Sequence, residues 1–175
     1  MNYNIVTIDQ YRAFLKKQVL VKSSLPFRND DSKFASEVMQ VMMENSSKMI
    51  LYCKNFAGSI SCHSGFMEKF KSYVEDPKKE FKILVDDPSP QDTEVFNFCS
   101  THSNKLQVMT PDQTFIKSIH SDRETYFSVA DNRMYRDEIS NSTHQAVCDF
   151  NDMDYCSYLL SMFEIGMDMS KPVFN

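Results

Sequence analysis

The 175-residue sequence lacks the marks of several protein classes. Three glycines and six prolines are too few for a collagen-like or low-complexity chain. No run of 18 apolar residues occurs, and the opening Met1-Asn2-Tyr3-Asn4-Ile5-Val6 has neither a basic stretch nor a long hydrophobic one. A membrane span and a secretory leader are therefore not expected, and the chain reads as cytoplasmic. Cys53, Cys62, Cys99, Cys148 and Cys156 are odd in number and contain no CxxC pair, so they read as free thiols in a reducing compartment. Neither Cys62-His63 nor Cys148 with Cys156 has the ligand spacing of a zinc knuckle, and no metal or cofactor is expected. A basic stripe is missing too. Net charge is −5 with Lys and Arg scattered, which disfavours a nucleic-acid partner because the long-range field repels phosphate.

What the chain does have is core material, 42% apolar and 13% aromatic, at a length that buries roughly 70% of the unfolded surface in one compact domain. Phe34, Val38, Val41 and Met42 recur at helical spacing between Lys33 and Asn45, and the apolar run Met49 to Cys53 then reads as a buried strand. A helix from His63 to Tyr73 closes at Asp76-Pro77, before a strand from Phe81 to Val85. A third helix is predicted from Gln91 to Thr101, with Val95, Phe96 and Cys99 inward, followed by a strand from Leu106 to Met109. Asp131-Asn132-Arg133 separates two runs, Thr125 to Ala130 and Met134 to Arg136, as a hairpin turn would. A strand near Ala146 to Phe150 and a helix from Met153 to Met167, capped from Asn151-Asp152 and carrying Tyr155, Leu159, Met162, Phe163 and Ile165, end the pattern. Ile8 to Val19 adds a preliminary helix with Tyr11, Phe14 and Leu15 inward, and Lys22 to Asp31 reads as a loop. The expected class is α/β: a mixed, mostly parallel sheet flanked by helices, with a C-terminal hairpin and terminal helix. Residues 1–31 form an N-terminal helix and linker, and residues 32–170 form the α/β domain.

This element order, with the segment Tyr126-Phe127-Ser128-Val129-Ala130-Asp131-Asn132-Arg133-Met134-Tyr135-Arg136, resembles one half of a phospholipase-D-like domain. In that family the strand carries a His-x-Lys-x-x-x-x-Asp signature. Asp131 matches the Asp, whereas Glu124 stands at the His position and Tyr126 at the Lys position. The family's chemistry needs an imidazole to form a phospho-histidine and an ammonium to neutralise phosphate oxygens, and neither replacement supplies either. The resemblance therefore implies a catalytically degenerate member: a non-catalytic binding or regulatory module working through a protein partner or as a homodimer, since single halves in this family pair two-fold. The alternatives are a metal-dependent phosphodiesterase or nuclease using Asp86, Asp87 and Asp131, and an accessory subunit of a nucleic-acid-processing or phage-defence assembly.

The candidate binding residues are Asp131, Arg133, Arg136 and Glu138, charged residues around the hairpin together with Asp137. Their ordinary reading is solvated turn charge with one Arg–carboxylate pair. Asp86-Asp87 ends a central strand, where open α/β sheets place ligands, but Asp-Asp-Pro-Ser-Pro is also strong turn chemistry. Cys62-His63 reads as a capping or solvent-facing pair rather than a thiolate–imidazole dyad. His102, His120 and His144 show no triad spacing, although His120 lies four residues before the degenerate position and a register slip would bring it to the cleft. Tyr158 and Met169 extend the apolar surface of the last helix beyond one face, which fits a second copy of the chain as partner.

Overall fold

A computed structural model describes residues 7–174. Eight strands form one sheet: β1 (Phe27–Asn29), β2 (Lys48–Cys53), β3 (Glu80–Val85), β4 (Gln107–Pro111), β5 (Tyr126–Ala130), β6 (Met134–Ser140), β7 (Gln145–Asp149) and β8 (Ser170–Pro172). Their order across the sheet is β1-β7-β6-β5-β2-β3-β4-β8. The expected class, a mixed sheet flanked by helices, is the one observed. Parallel pairing is confined to β2 with β3 and β3 with β4, so antiparallel pairs carry more of the sheet than the sequence suggests. The helices are α1 (Ile8–Leu20), α2 (Ser32–Glu44), α3 (Phe66–Glu75), α4 (Glu94–Thr101), α5 (Gln113–Ile119) and α6 (Met153–Asp168).

Local chemistry explains the boundaries. Asp31, Thr93, Asp112 and Asp152 each turn a side-chain oxygen onto a main-chain N–H three residues on, which starts α2, α4, α5 and α6. Gly65 enters α3 with φ +83°, a conformation that a side chain disfavours, so the helix starts three residues later than periodicity from His63 suggests. Asp131 and Asn132 both take positive φ in the β5–β6 turn, as the favoured hairpin turns require. The predicted loop from Lys22 to Asp31 contains β1, which pairs with β7, and α5 and β8 were not anticipated.

Helices α1 to α4 cover one face of the sheet, where Leu15, Val38, Met42, Phe70 and Cys99 pack on Met49, Phe81 and Ile83. Helices α5 and α6 cover the other, where Phe115, Leu159 and Phe163 pack on Tyr52, Leu84 and Phe127. Within α4 the buried residues are Phe98 and Cys99, with Val95 and Phe96 only partly covered. On α6, Ile165 points outward, 55% exposed, while Cys156 and Gly166 supply the inner face. All five cysteines are unpaired; Cys99, Cys148 and Cys156 are buried, and Cys62 is exposed. Burial pushes the Cys99, Cys148 and Cys156 thiols up to about 12, so none of the three is a ready thiolate.

Candidate functional site

The carboxyl ends of β2 and β3 lie at the same end of the sheet as the start of β5, the end of β6 and the last residue of β1, because β5 runs antiparallel to β2 and the register pairs Asn29 with Ala146 and Glu138 with Tyr126. Besides the Arg123–Asp137 pair (2.6 Å), whose carboxylate also accepts from the Tyr155 hydroxyl (2.8 Å), two polar groups form there.

The first joins Tyr52, Asp86, His120 and Tyr126. Thr125 N–H donates to His120 Nδ1 (2.9 Å), which leaves the ring proton on Nε2, 2.8 Å from Asp86 Oδ2. Tyr52 donates to Asp86 Oδ1 (2.7 Å), and Tyr126 donates to Asp86 Oδ2 (3.1 Å). The side chains of Asp86 and His120 are 11% and 16% exposed. Burial, followed by the Asp86 hydrogen bond, raises the Tyr52 hydroxyl far above its ordinary value. For Tyr126 burial is again the largest cause, with the Asp86 charge next. Both phenols therefore stay protonated donors. With one ring nitrogen accepting a main-chain hydrogen bond and the other donating to a carboxylate, His120 has no lone pair free to attack phosphorus. Glu124 and Tyr126 both stand at this end of the sheet. Glu124 is paired with Lys54 (3.0 Å) on the exposed rim.

The second group lies on the α1–α4 side and joins Arg136, Glu138, His144 and Asn29. Arg136 Nη1 donates to Glu138 Oε2 (2.8 Å), Nε to Asn29 Oδ1 (3.1 Å) and Nη2 to the His144 carbonyl (2.8 Å). Both charged side chains are buried, 4% and 6% exposed, so the Arg–carboxylate pair expected of a solvated turn is in fact inside the protein. Burial alone would raise the Glu138 carboxyl; the His144 imidazole and the Arg136 guanidinium outweigh it and hold the group below its ordinary value. His144, held at φ +57° in the β6–β7 turn, places Nε2 2.7 Å from Ser59 Oγ, while its Nδ1 is buried without a hydrogen bond.

Beside this group is a cavity of about 120 Å³, bounded by β2, the following Asn55–Ser61 loop, α2, α3 and β6. Its walls include Met39, Leu51, Phe56, Phe66 and Ile83, and its polar end holds Arg136, Glu138 and His144.

Of the sequence candidates, Arg136 and Glu138 therefore meet, whereas Asp131 and Arg133 lie at the opposite end of the hairpin. Asp131 Oδ1 accepts from Ser47 N–H (3.0 Å) and Lys48 N–H (2.9 Å), fixing the start of β2. Arg133 donates to the carbonyls of Phe150 (3.2 Å) and Asn45 (3.1 Å). Asp86 and Asp131 thus stand at opposite ends of the sheet, and Asp87 closes its own turn on Ser89 N–H (3.0 Å), so the three aspartates do not converge. Among the described residues no cluster of three or more His, Cys, Asp or Glu has metal-binding geometry. Cys62 and His63 point apart, Sγ toward the Ser59 carbonyl (3.5 Å) and Nε2 toward Ser32 Oγ (2.9 Å). His102 stacks on Phe98 with ring centres 4.0 Å apart. Tyr52 and Asn29 carry no local sequence pattern that marks them, and His144 has no triad spacing; all three join the two groups through strand order.

No family model matches the sequence, and no curated protein does either. Solved structures do match. The chain is similar to TrmBL2, an archaeal chromatin protein whose structure shows a novel mode of DNA binding, at 12% identity and a TM-score of 0.59, over 93% of this chain and 60% of that one. It is similar to Nuc from Salmonella typhimurium, a phospholipase D family member, at 9% identity and a TM-score of 0.56, over 85% and 98%. It is also similar to phosphatidylserine synthase from Haemophilus influenzae Rd KW20, at 11% identity and a TM-score of 0.54, over 84% and 39%. The chain thus spans nearly the whole of Nuc, 60% of TrmBL2 and 39% of the synthase. At these identities the likeness is one of fold, and that fold is phospholipase-D-like.

Proposed function

We propose that this chain is a non-catalytic binding module, a phospholipase-D-like half that has lost phosphodiester chemistry and kept its cleft. The observation that carries the reading is the state of the sheet's carboxyl end. Glu124 and Tyr126 occupy the positions where the resemblance puts a nucleophilic imidazole and a lysine, Lys54 at the rim is paired with Glu124, and both ring nitrogens of His120 are engaged. A phosphodiester entering this cleft meets carboxylates and phenols rather than a nucleophile and a free cation. Hydrolysis of bis(p-nitrophenyl) phosphate and of single-stranded DNA, with and without magnesium, tests it. The expected rate is that of buffer; turnover that disappears in His120→Ala or Asp86→Ala overturns the reading.

The partner that best suits the surface is a second copy of the chain. Tyr158 and Ile165, 57% and 55% exposed, lie seven residues apart on one stripe of α6, and an isologous contact would cover both at once. Light scattering over a dilution series decides this: a mass twice that of the chain, falling on dilution, is expected, and a monomer mass at every concentration rejects it.

A further inference from the structure

Resting on the non-catalytic reading, we infer that the cavity beside the Arg136–Glu138 pair is a binding site for an uncharged, ring-sized, mostly apolar molecule carrying one hydrogen-bond donor. Three features select this class. The first is size. About 120 Å³ is close to the roughly 150 Å³ engineered cavity that takes benzene in another protein, so one aromatic ring fits. The second is the wall, which is supplied by Met39, Leu51, Phe56, Phe66 and Ile83 and rewards an apolar body with the contacts of an ordinary core.

The third is charge. Arg136 spends donors from all three nitrogens on Asn29, Glu138 and the His144 carbonyl, and its charge is matched by Glu138 2.8 Å away. An incoming phosphate or carboxylate would find Glu138 and, at the rim, a Lys54 ammonium already paired with Glu124 (3.0 Å), and an ammonium would have to compete with Arg136 for the same carboxylate. Glu138 Oε2 is satisfied by Arg136, whereas Oε1 has His144 Nδ1 at 3.4 Å, a nitrogen that is itself buried without a hydrogen bond. Glu138 is held in its charged form by this long His144 contact and by Arg136, so Oε1 still has room for a well-aligned donor. A neutral O–H or N–H at the edge of the ring would fill that vacancy without adding charge.

The test uses the full chain and five probes: phenol, indole, benzene, benzoate and phenyl phosphate, read by saturation-transfer NMR and by melting temperature. Phenol and indole are expected to bind saturably, several-fold tighter than benzene and at least tenfold tighter than benzoate or phenyl phosphate. Leu51→Trp, which fills the cavity from the sheet, should weaken phenol at least tenfold; if that variant does not fold, Val95→Phe fills it from α4. No saturable binding of phenol or indole, preference for an anionic probe, or unchanged binding in the filled variant overturns the inference. Absence of binding alongside absent phosphodiester turnover overturns this inference alone, whereas turnover overturns the non-catalytic reading on which it rests.

Discussion

The two ends of the β5–β6 hairpin carry the same kinds of residue and use them differently. At the turn, Asp131 and Arg133 bond main-chain groups of Ser47, Lys48, Phe150 and Asn45, and every bond ties one element to another. At the open end, Arg136 bonds Glu138, the Asn29 side chain of β1 and the His144 carbonyl, and a cavity remains beside the pair. Asp131, the one residue that matches the signature of the resemblance, therefore reads in this chain as a structural clamp, and the cavity lies at the other end of the same two strands.

The largest effect is expected from unpairing the open end. Arg136→Leu leaves Glu138 charged and buried, and denaturant unfolding should show a loss of about 3–5 kcal/mol; Arg136→Leu with Glu138→Leu should recover most of it. A double variant no more stable than the single one would mean that Arg136 acts through Asn29 and the His144 carbonyl rather than through the pair. At the turn, Asp131→Ala removes an exposed acceptor of two main-chain bonds and should cost about 1–2 kcal/mol by the same measurement, with probe binding at the cavity unchanged. Altered binding there would show that the two ends are coupled.

Acid provides a finer probe. The folded Glu138 carboxyl lies below its ordinary value of 4.5, so the stability it contributes is present above that value and is lost as pH falls through the depressed one. Glu138→Gln should therefore flatten the acid limb of a stability–pH curve below about pH 4.5. Asp149 acts in the opposite sense: burial raises its carboxyl, so its contribution declines as pH rises through the carboxylate range. The smallest effect belongs to Glu124→Ala, which breaks an exposed pair with Lys54 and should change stability by less than about 1 kcal/mol.

Much of the fold was legible because its elements announce themselves locally. The apolar runs at Met49–Cys53 and Phe81–Val85 are strands buried on both faces, and α2 and α6 combine a capping aspartate with helical periodicity. What escaped is short or held by partners far along the chain. Helix α5 has seven residues and one buried side chain, and β1 and β8 have three residues each and exist through pairing with β7 and β4. The site followed the same rule. Arg136 and Glu138 stood out as charged residues, but their burial depends on Asn29, 107 positions from Arg136, and on a histidine in the next turn. The Asp86–His120 bond spans 34 positions and follows from the strand order rather than from any spacing.

The proposed module binds without cleaving because the imidazole nearest its cleft, His120, has both ring nitrogens engaged. The most direct measurement is a single-turnover incubation of excess protein with a short single-stranded DNA and with bis(p-nitrophenyl) phosphate, followed by intact-mass and peptide mass spectrometry under conditions that preserve phospho-histidine. The expected result is unmodified protein at every time point; a phosphorylated or nucleotidyl adduct on His120 would contradict it.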